Sequence, residues 1–248
     1  MMAMTRLHVH LSACAMVLGT LALASVGLVR AEPVTLPPDY PKSIERDVAE
    51  LKAHLAQHPT NTQLLVKLSG LYLDMGEDLL TDKDKKIAAF EEGAALAKRA
   101  LEIQEADVEA HYVYAANLGS RADLKGIAAS LVALDDIKQH LNRALQLKKD
   151  HVPTLHMAGM ILEELPSFMG GNKSVGLSYV KRAVELDPAY SHARLDLAKM
   201  YLKRKDQDAA KRELATVVAL EHPSDPYAWA NRYRPEAEKL LRDLNHTP

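Results

Sequence analysis

The residues that first suggest chemistry lie in "LPSFMGGNKSVGLSYVKRAVELDP", 165–188, where a Gly-Gly pair precedes Lys173, Ser174 and a helical pattern. A glycine-rich turn opening a helix is where phosphate groups bind, because backbone N–H groups converge there. A phosphate loop needs glycine directly before the Lys-Ser pair, a second glycine five residues earlier, and a strand leading in. Here Asn172 and Ser167 hold the two glycine places, and the preceding segment is helical in pattern. The stretch therefore reads as a joint. Pro166 ends one helix, Gly170 and Gly171 are expected to take positive φ, and Asn172 or Ser174 caps the next helix.

The other candidates are histidines. His54 and His58 stand four apart, the spacing of a metal pair on a helix face, but no third ligand of zincin type follows. They read as a solvated helix C-terminus. His151 and His156 flank Pro153, and no cluster forms around them in the sequence. No Gly-x-Ser-x-Gly elbow is present. A non-catalytic protein without cofactor or metal is expected; a catalytic reading would need two or more titratable groups converging in a pocket.

Elements that could position these residues are helices. The chain has 248 residues, 48% hydrophobic and 26% charged, and is long enough to bury a core. Helix formers fill it and β-branched runs of strand length are missing. The fold class is all-α. Net charge is −2, with no basic excess and no like-charge block, so nucleic acid is not an expected partner.

Residues 11–29 form an apolar run after Arg6, followed by Val29-Arg30-Ala31. Small residues there fit a secretory cleavage site, giving a signal peptide over 1–31, a chain starting at Glu32, and export. The alternative is a retained membrane anchor over 11–29, since about 19 apolar residues just span a bilayer. A third reading is lipidation at Cys14 within "LSAC", against which the apolar run follows the cysteine instead of preceding it. Cys14 is the only cysteine, so cleavage at Ala31 would leave no disulfide and no thiolate site.

Residues 32–42 hold four prolines and read as a linker. From 43 to 248 the chain repeats itself. "KRALEI", "NRALQL", "KRAVEL" and "ATVVAL" align on Ala100, Ala144, Ala183 and Val217, at spacings of 44, 39 and 34 residues. The last is the tetratricopeptide period. Repeats are placed near 60–104, 108–150, 152–188 and 191–223, with longer helices absorbing the excess of the first two. Asp225-Pro226 reads as N-cap and first helical residue, and 225–244 as a capping helix. The architecture is thus an α-solenoid of about four irregular repeats. Its small residues mark helix crossings and its large apolar ones fill the gaps.

In that register Tyr112, Asn117, Arg121, Lys125, His156, Met160, Lys199 and Lys203 are the expected binding residues of one concave groove. A shallow polar groove would favour a peptide or protein. A closed cavity lined by Leu and Met, between the elongated helices of repeats one and two, would favour a small ligand.

The blocks "YVYAANLGSRADLKGIAASLVALDDIKQHLNRALQL" and "LEELPSFMGGNKSVGLSYVKRAVELDPAYSHARLDLAKMYL" resemble the TatT-like T-component proteins of tripartite periplasmic transporters (TRAP transporters). Asn117-Leu118-Gly119, Lys125-Gly126 and the Leu-Pro…Gly-Gly joint carry the resemblance, over about residues 108–223. The same blocks are similar to the regulator-of-microtubule-dynamics family. The resemblance implies an all-helical periplasmic protein without catalysis. It would partner a solute-binding protein, form homo-oligomers and accept a small apolar ligand in a cavity. Without it, the residues imply a scaffold or adaptor for a partner protein or extended ligand.

Overall fold

The computed structural model describes residues 35–246, and the expectations for the segment 1–31 lie outside the described residues. The described chain is a succession of helical hairpins, with no strand among the described residues. A lead helix α1 (Ser43–Gln57) precedes four hairpins. These are α2 (Thr62–Asp74) with α3 (Lys83–Ile103), α4 (Val108–Lys125) with α5 (Ile127–Leu147), α6 (Val152–Glu164) with α7 (Lys173–Leu186), and α8 (Ser191–Lys203) with α9 (Gln207–Ala219). The short α10 (Pro226–Ala228) runs through a π-helical turn, Trp229–Tyr233, into α11 (Arg234–His246). A second π-helical turn, Met75–Leu79, extends α2. No described helix is long and apolar enough to cross a membrane.

Helix starts are set by side chains. Asn61, Asp82, Asp107, Asn172 and Asp206 each accept the backbone N–H three residues on, at 2.9–3.1 Å. Each satisfies one of the donors that the first turn leaves unpaired. Asp225 departs from its expected role. Pro226 does open a helix, but the Asp225 carboxylate makes no cap bond there. It accepts Ser191 Oγ–H at 2.6 Å and the N–H groups of Ser191 and His192 at 3.3 and 3.2 Å, capping α8 of the preceding hairpin instead.

Crossings are close where side chains are small. A Cβ on Gly176 would stand 2.7 Å from the Gly159 carbonyl oxygen, so α6 and α7 touch backbone to backbone. Ala97, Ala100, Ala144, Ala183, Ala198 and Ala210 are fully buried. Leu65, Leu68, Leu141, Leu195, Met200 and Leu214 fill the spaces between. Four clusters of buried apolar residues follow one another along the chain, each built on neighbouring helices, as expected of a stacked repeat.

The joint at 165–172 is partly as expected. Gly170 has φ 88°, the left-handed region, whereas Gly171 does not. Gly171 is needed for space: a Cβ there would overlap the Leu165 carbonyl oxygen. The joint is drawn tight by Gly171 N–H to Pro166 O at 3.0 Å and Asn172 N–H to Leu162 O at 2.8 Å. Phe168 points to solvent, 87% exposed, and contributes to no pocket wall described below.

Candidate functional site

The first helices of the hairpins, α2, α4, α6 and α8, turn one face to a shared concavity of about 940 Å³. The α10–π-turn segment closes its far side, and Leu36 and Tyr40 approach from the N-terminal side. The two ends of the solenoid meet here. Arg232 donates to Asp78 Oδ1 at 2.6 Å, the Tyr40 hydroxyl donates to Asp78, and the Tyr40 and Tyr227 rings meet edge-on at 5.0 Å. The groove is thereby bridged into a cleft. It does not lie between the long helices of the first two repeats, where a small-ligand cavity was expected.

Six carboxylates line the cleft, those of Asp74, Glu77, Asp78, Asp123, Asp196 and Asp225, against one arginine, Arg232. Five of the chain's nine tyrosines are also there: Tyr40, Tyr112, Tyr190, Tyr227 and Tyr233. Leu36, Leu73, Met157 and Met160 supply apolar wall. The acid excess sits in the π-turn after α2. Asp74 opens to the water of the cleft, yet protein surrounds it on most sides. That desolvation, with Asp78 and Glu77 alongside, pushes its carboxyl up to about 7 despite the opposing charge of Arg232. Glu77 is raised for the same reason, desolvation first, with Arg232 opposing. Burial holds the phenols of Tyr112, Tyr190 and Tyr233 above their ordinary range.

A second group lies deeper. His156 on α6 and His192 and Asp196 on α8 converge, their ligand atoms all within 4.8 Å of one another. His156 Nε2 is 2.9 Å and His192 Nε2 3.4 Å from the same oxygen, Asp196 Oδ2. A carboxylate only accepts, so His156 Nε2 carries the proton, and the Tyr190 hydroxyl donates to Nδ1 at 3.2 Å. The His192 side chain keeps 40% of its surface open to the cleft, yet the protein around it desolvates it, and with His156 beside it this pushes the imidazole down to about 3. Burial alone would raise Asp196; the hydrogen bond from His156 and the neighbouring His192 and Lys199 hold it below the usual carboxylate range. The sequence shows no cluster around His156. Its partners are 36 and 40 residues away, and the one local signal was the four-residue spacing of His192 and Asp196, which puts both on one helix face. The cleft therefore brings together titratable groups that no single local spacing in the sequence joins.

Of the eight residues expected in the groove, Tyr112, His156 and Met160 line it. Asn117 is in the interior. Its Nδ2 donates to Val113 O at 2.8 Å and to Ser69 Oγ at 3.2 Å, and its amide lies against Gly93, where any Cβ would collide with it. Arg121 and Lys125 face away from the cleft and flank Glu91 on α3, at 3.9 and 2.6 Å. Arg121 borders a separate hollow with Leu118, Ala128 and Val132. Lys199 bridges Glu236 at 2.8 Å and Asp196 at 3.6 Å, and Lys203 pairs with Glu164. The common register failed because Asn117 and Arg121 lie on the sides of α4 that meet α2 and α3, not on the side that faces the cleft.

Residues 41–161 match the family described as regulator of microtubule dynamics protein 1-3, and residues 176–231 match the tetratricopeptide repeat. Regulator of microtubule dynamics protein 1 of Bos taurus is 29% identical over 166 residues, covering 60% of this chain and 52% of that one. The Homo sapiens protein of the same name is 29% identical over 146 residues, covering 52% and 46%. The chain spans about half the length of the curated relatives it matches. Among solved structures, TTC0263, a tetratricopeptide protein of Thermus thermophilus, superposes with a TM-score of 0.60 at 16% identity, covering 80% of this chain and 92% of that one. The hairpin stacking, the matched repeat and this superposition agree: the chain is an all-α tetratricopeptide-repeat solenoid, of the kind that generally serves as a protein-binding scaffold.

Proposed function

We propose that this protein is a non-catalytic adaptor that holds a short basic segment of a partner protein in its bridged cleft. One observation carries the reading: six carboxylates face one arginine in a concavity that also holds five tyrosines. A lysine or arginine side chain entering there would meet carboxylates for its charge and aromatic faces for its stem and head. The bridge from Arg232 and Tyr40 to Asp78 limits the length of chain that fits, which favours a short segment over a long threaded peptide. Export of the chain, with a periplasmic partner such as a solute-binding protein, is part of the proposal and draws on the apolar run at 11–29. The microtubule role named for the relatives is not carried over, because their shared region is about half of their length.

A second reading is an accessory protein of a periplasmic solute transporter holding a small apolar ligand. The cleft volume and the wall of Leu73, Met157 and Met160 favour it. Charge separates the two readings. In fluorescence polarisation at low salt, a labelled Lys/Arg-rich decapeptide should bind, and its Glu-substituted counterpart should not. Asp74→Asn with Glu77→Gln should weaken binding by about tenfold or more, one lost charge contact being worth roughly 1–2 kcal/mol. Arg121→Ala should leave it unchanged. Equal binding of both peptides, or no effect of the double substitution, would sink the basic-segment reading. Saturable uptake of an apolar dye displaced by neither peptide would establish the second.

A further inference from the structure

We propose that His156, His192 and Asp196 form a binding site for a divalent transition-metal ion of zinc's class, open to the cleft. Two imidazoles and one carboxylate are a donor set that such ions take, and three protein ligands leave a coordination position for water or a bound group. The spacing fits. With metal–ligand bonds of about 2.0–2.2 Å, a tetrahedral site sets its donors about 3.3 Å apart. The two imidazole nitrogens already stand 2.9 and 3.4 Å from one carboxylate oxygen, and all three ligand atoms lie within 4.8 Å of one another. The remaining adjustment is in the two imidazole nitrogens, which lie within 4.8 Å of each other and must approach to about 3.3 Å.

The surroundings hold the ligands in place. Tyr190 Oη sits 3.2 Å from His156 Nδ1, the outer nitrogen through which a ligating histidine is usually oriented. The His192 ring stacks on Tyr233, centroids 4.4 Å apart and planes 13° apart. Lys199 Nζ lies 3.6 Å from Asp196 Oδ1, the oxygen turned away from the histidines, and is drawn to Glu236 at 2.8 Å. Oδ2 is the oxygen both histidines approach; an ion bound there takes the place of the proton on His156 Nε2, which moves to Nδ1 and is donated to Tyr190 Oη. A hydrogen bond between α6 and α8 makes the pair His156–Asp196, and the four-residue spacing on α8 brings His192 to the same carboxylate oxygen, so all three donors face one point. All three residues line the cleft, so the open position faces whatever the cleft holds.

The test uses the full untagged chain and Zn²⁺ in competition with a chromophoric chelator, with Co²⁺ as a spectroscopic substitute. One equivalent should bind per chain, and Co²⁺ should give the visible absorption of a four-coordinate site. His192→Ala and Asp196→Asn should each weaken Zn²⁺ binding by more than about tenfold. The His192 side chain is 40% exposed, so its removal leaves the core intact, and an unchanged circular dichroism spectrum will show it. His54→Ala should change nothing. Affinity weaker than millimolar, or equal affinity in wild type and His192→Ala, would overturn the site. Failure here leaves the basic-segment reading standing, since its test turns on Asp74 and Glu77.

Discussion

At the scale of single residues, position in the fold redirects side chains that look alike in sequence. Asn117, Asp225 and Gly171 are examples. Asn117 is a polar residue on a helix, four before Arg121, and reads as a groove residue. It is instead fully buried and spends its amide on Ser69 of α2 and the turn of its own helix. Asp225 reads as a local cap and instead ties the last loop to the start of α8. Gly171 reads as a left-handed residue and instead makes room for the Leu165 carbonyl. Gly171→Val should therefore cost about 1–3 kcal/mol, through displacement of backbone by an inserted side chain. A urea unfolding curve measures it, and an unchanged midpoint would mean the 165–172 joint yields freely.

Between elements, hairpins are fastened by apolar stacking and by a few buried ionic contacts. Glu163, 3% exposed near the end of α6, receives two hydrogen bonds from Arg204 at the end of α8, 2.7 and 2.9 Å long. Arg204 also donates to the Lys173 carbonyl at the start of α7 and to Met200 O, so one guanidinium joins three helices. Removing it leaves a buried carboxylate without its partner. Arg204→Ala should destabilise the chain by about 3 kcal/mol, more than a surface pair would cost. Arg204→Ala combined with Glu163→Leu should recover much of that loss. If the single variant unfolds at the wild-type midpoint, the pair is not a fastener.

At the scale of the whole molecule, the decisive feature is the meeting of first and last repeats over the concave face. Arg232 reaches Asp78 across 154 residues of chain. That contact gathers carboxylates from α2 and its π-turn with tyrosines from α4, α8 and the C-terminal segment. The consequence is pH dependence. Asp74 is raised to about 7 by desolvation and by Asp78 and Glu77, while Arg232 on the facing π-turn opposes the shift. A raised carboxyl binds its proton more tightly in the folded chain. Its contribution to stability is therefore fully present below the ordinary carboxylate range and is lost as pH rises towards 7. Binding of a cation runs the other way, because the cation prefers the ionised carboxylate. Affinity for the basic peptide should rise a few fold between pH 6 and 8, and Asp74→Asn should flatten that rise. A flat wild-type profile would remove Asp74 from the site.

The sequence by itself determined the class of fold and much of its grain. Helix formers without strand-length β-branched runs, small residues recurring at 34 to 44 positions, and Asx residues ahead of apolar runs are local or periodic signals, and local physics decides them. The same signals marked the glycine joint as a hinge between helices and not a phosphate loop. Tyr112, His156 and Met160, read from the repeat's register, do line the cleft. Asn117, Arg121 and Lys125 were not, since register alone does not say which flank of α4 is covered by α2 and which by α3. The acidic cleft, its bridge from Arg232 to Asp78, and the convergence of His156 with His192 and Asp196 were decided only by tertiary structure. They join residues 36 to 154 positions apart, and the superhelical rotation that brings them together accumulates from small packing angles at every hairpin, which no single stretch of sequence records.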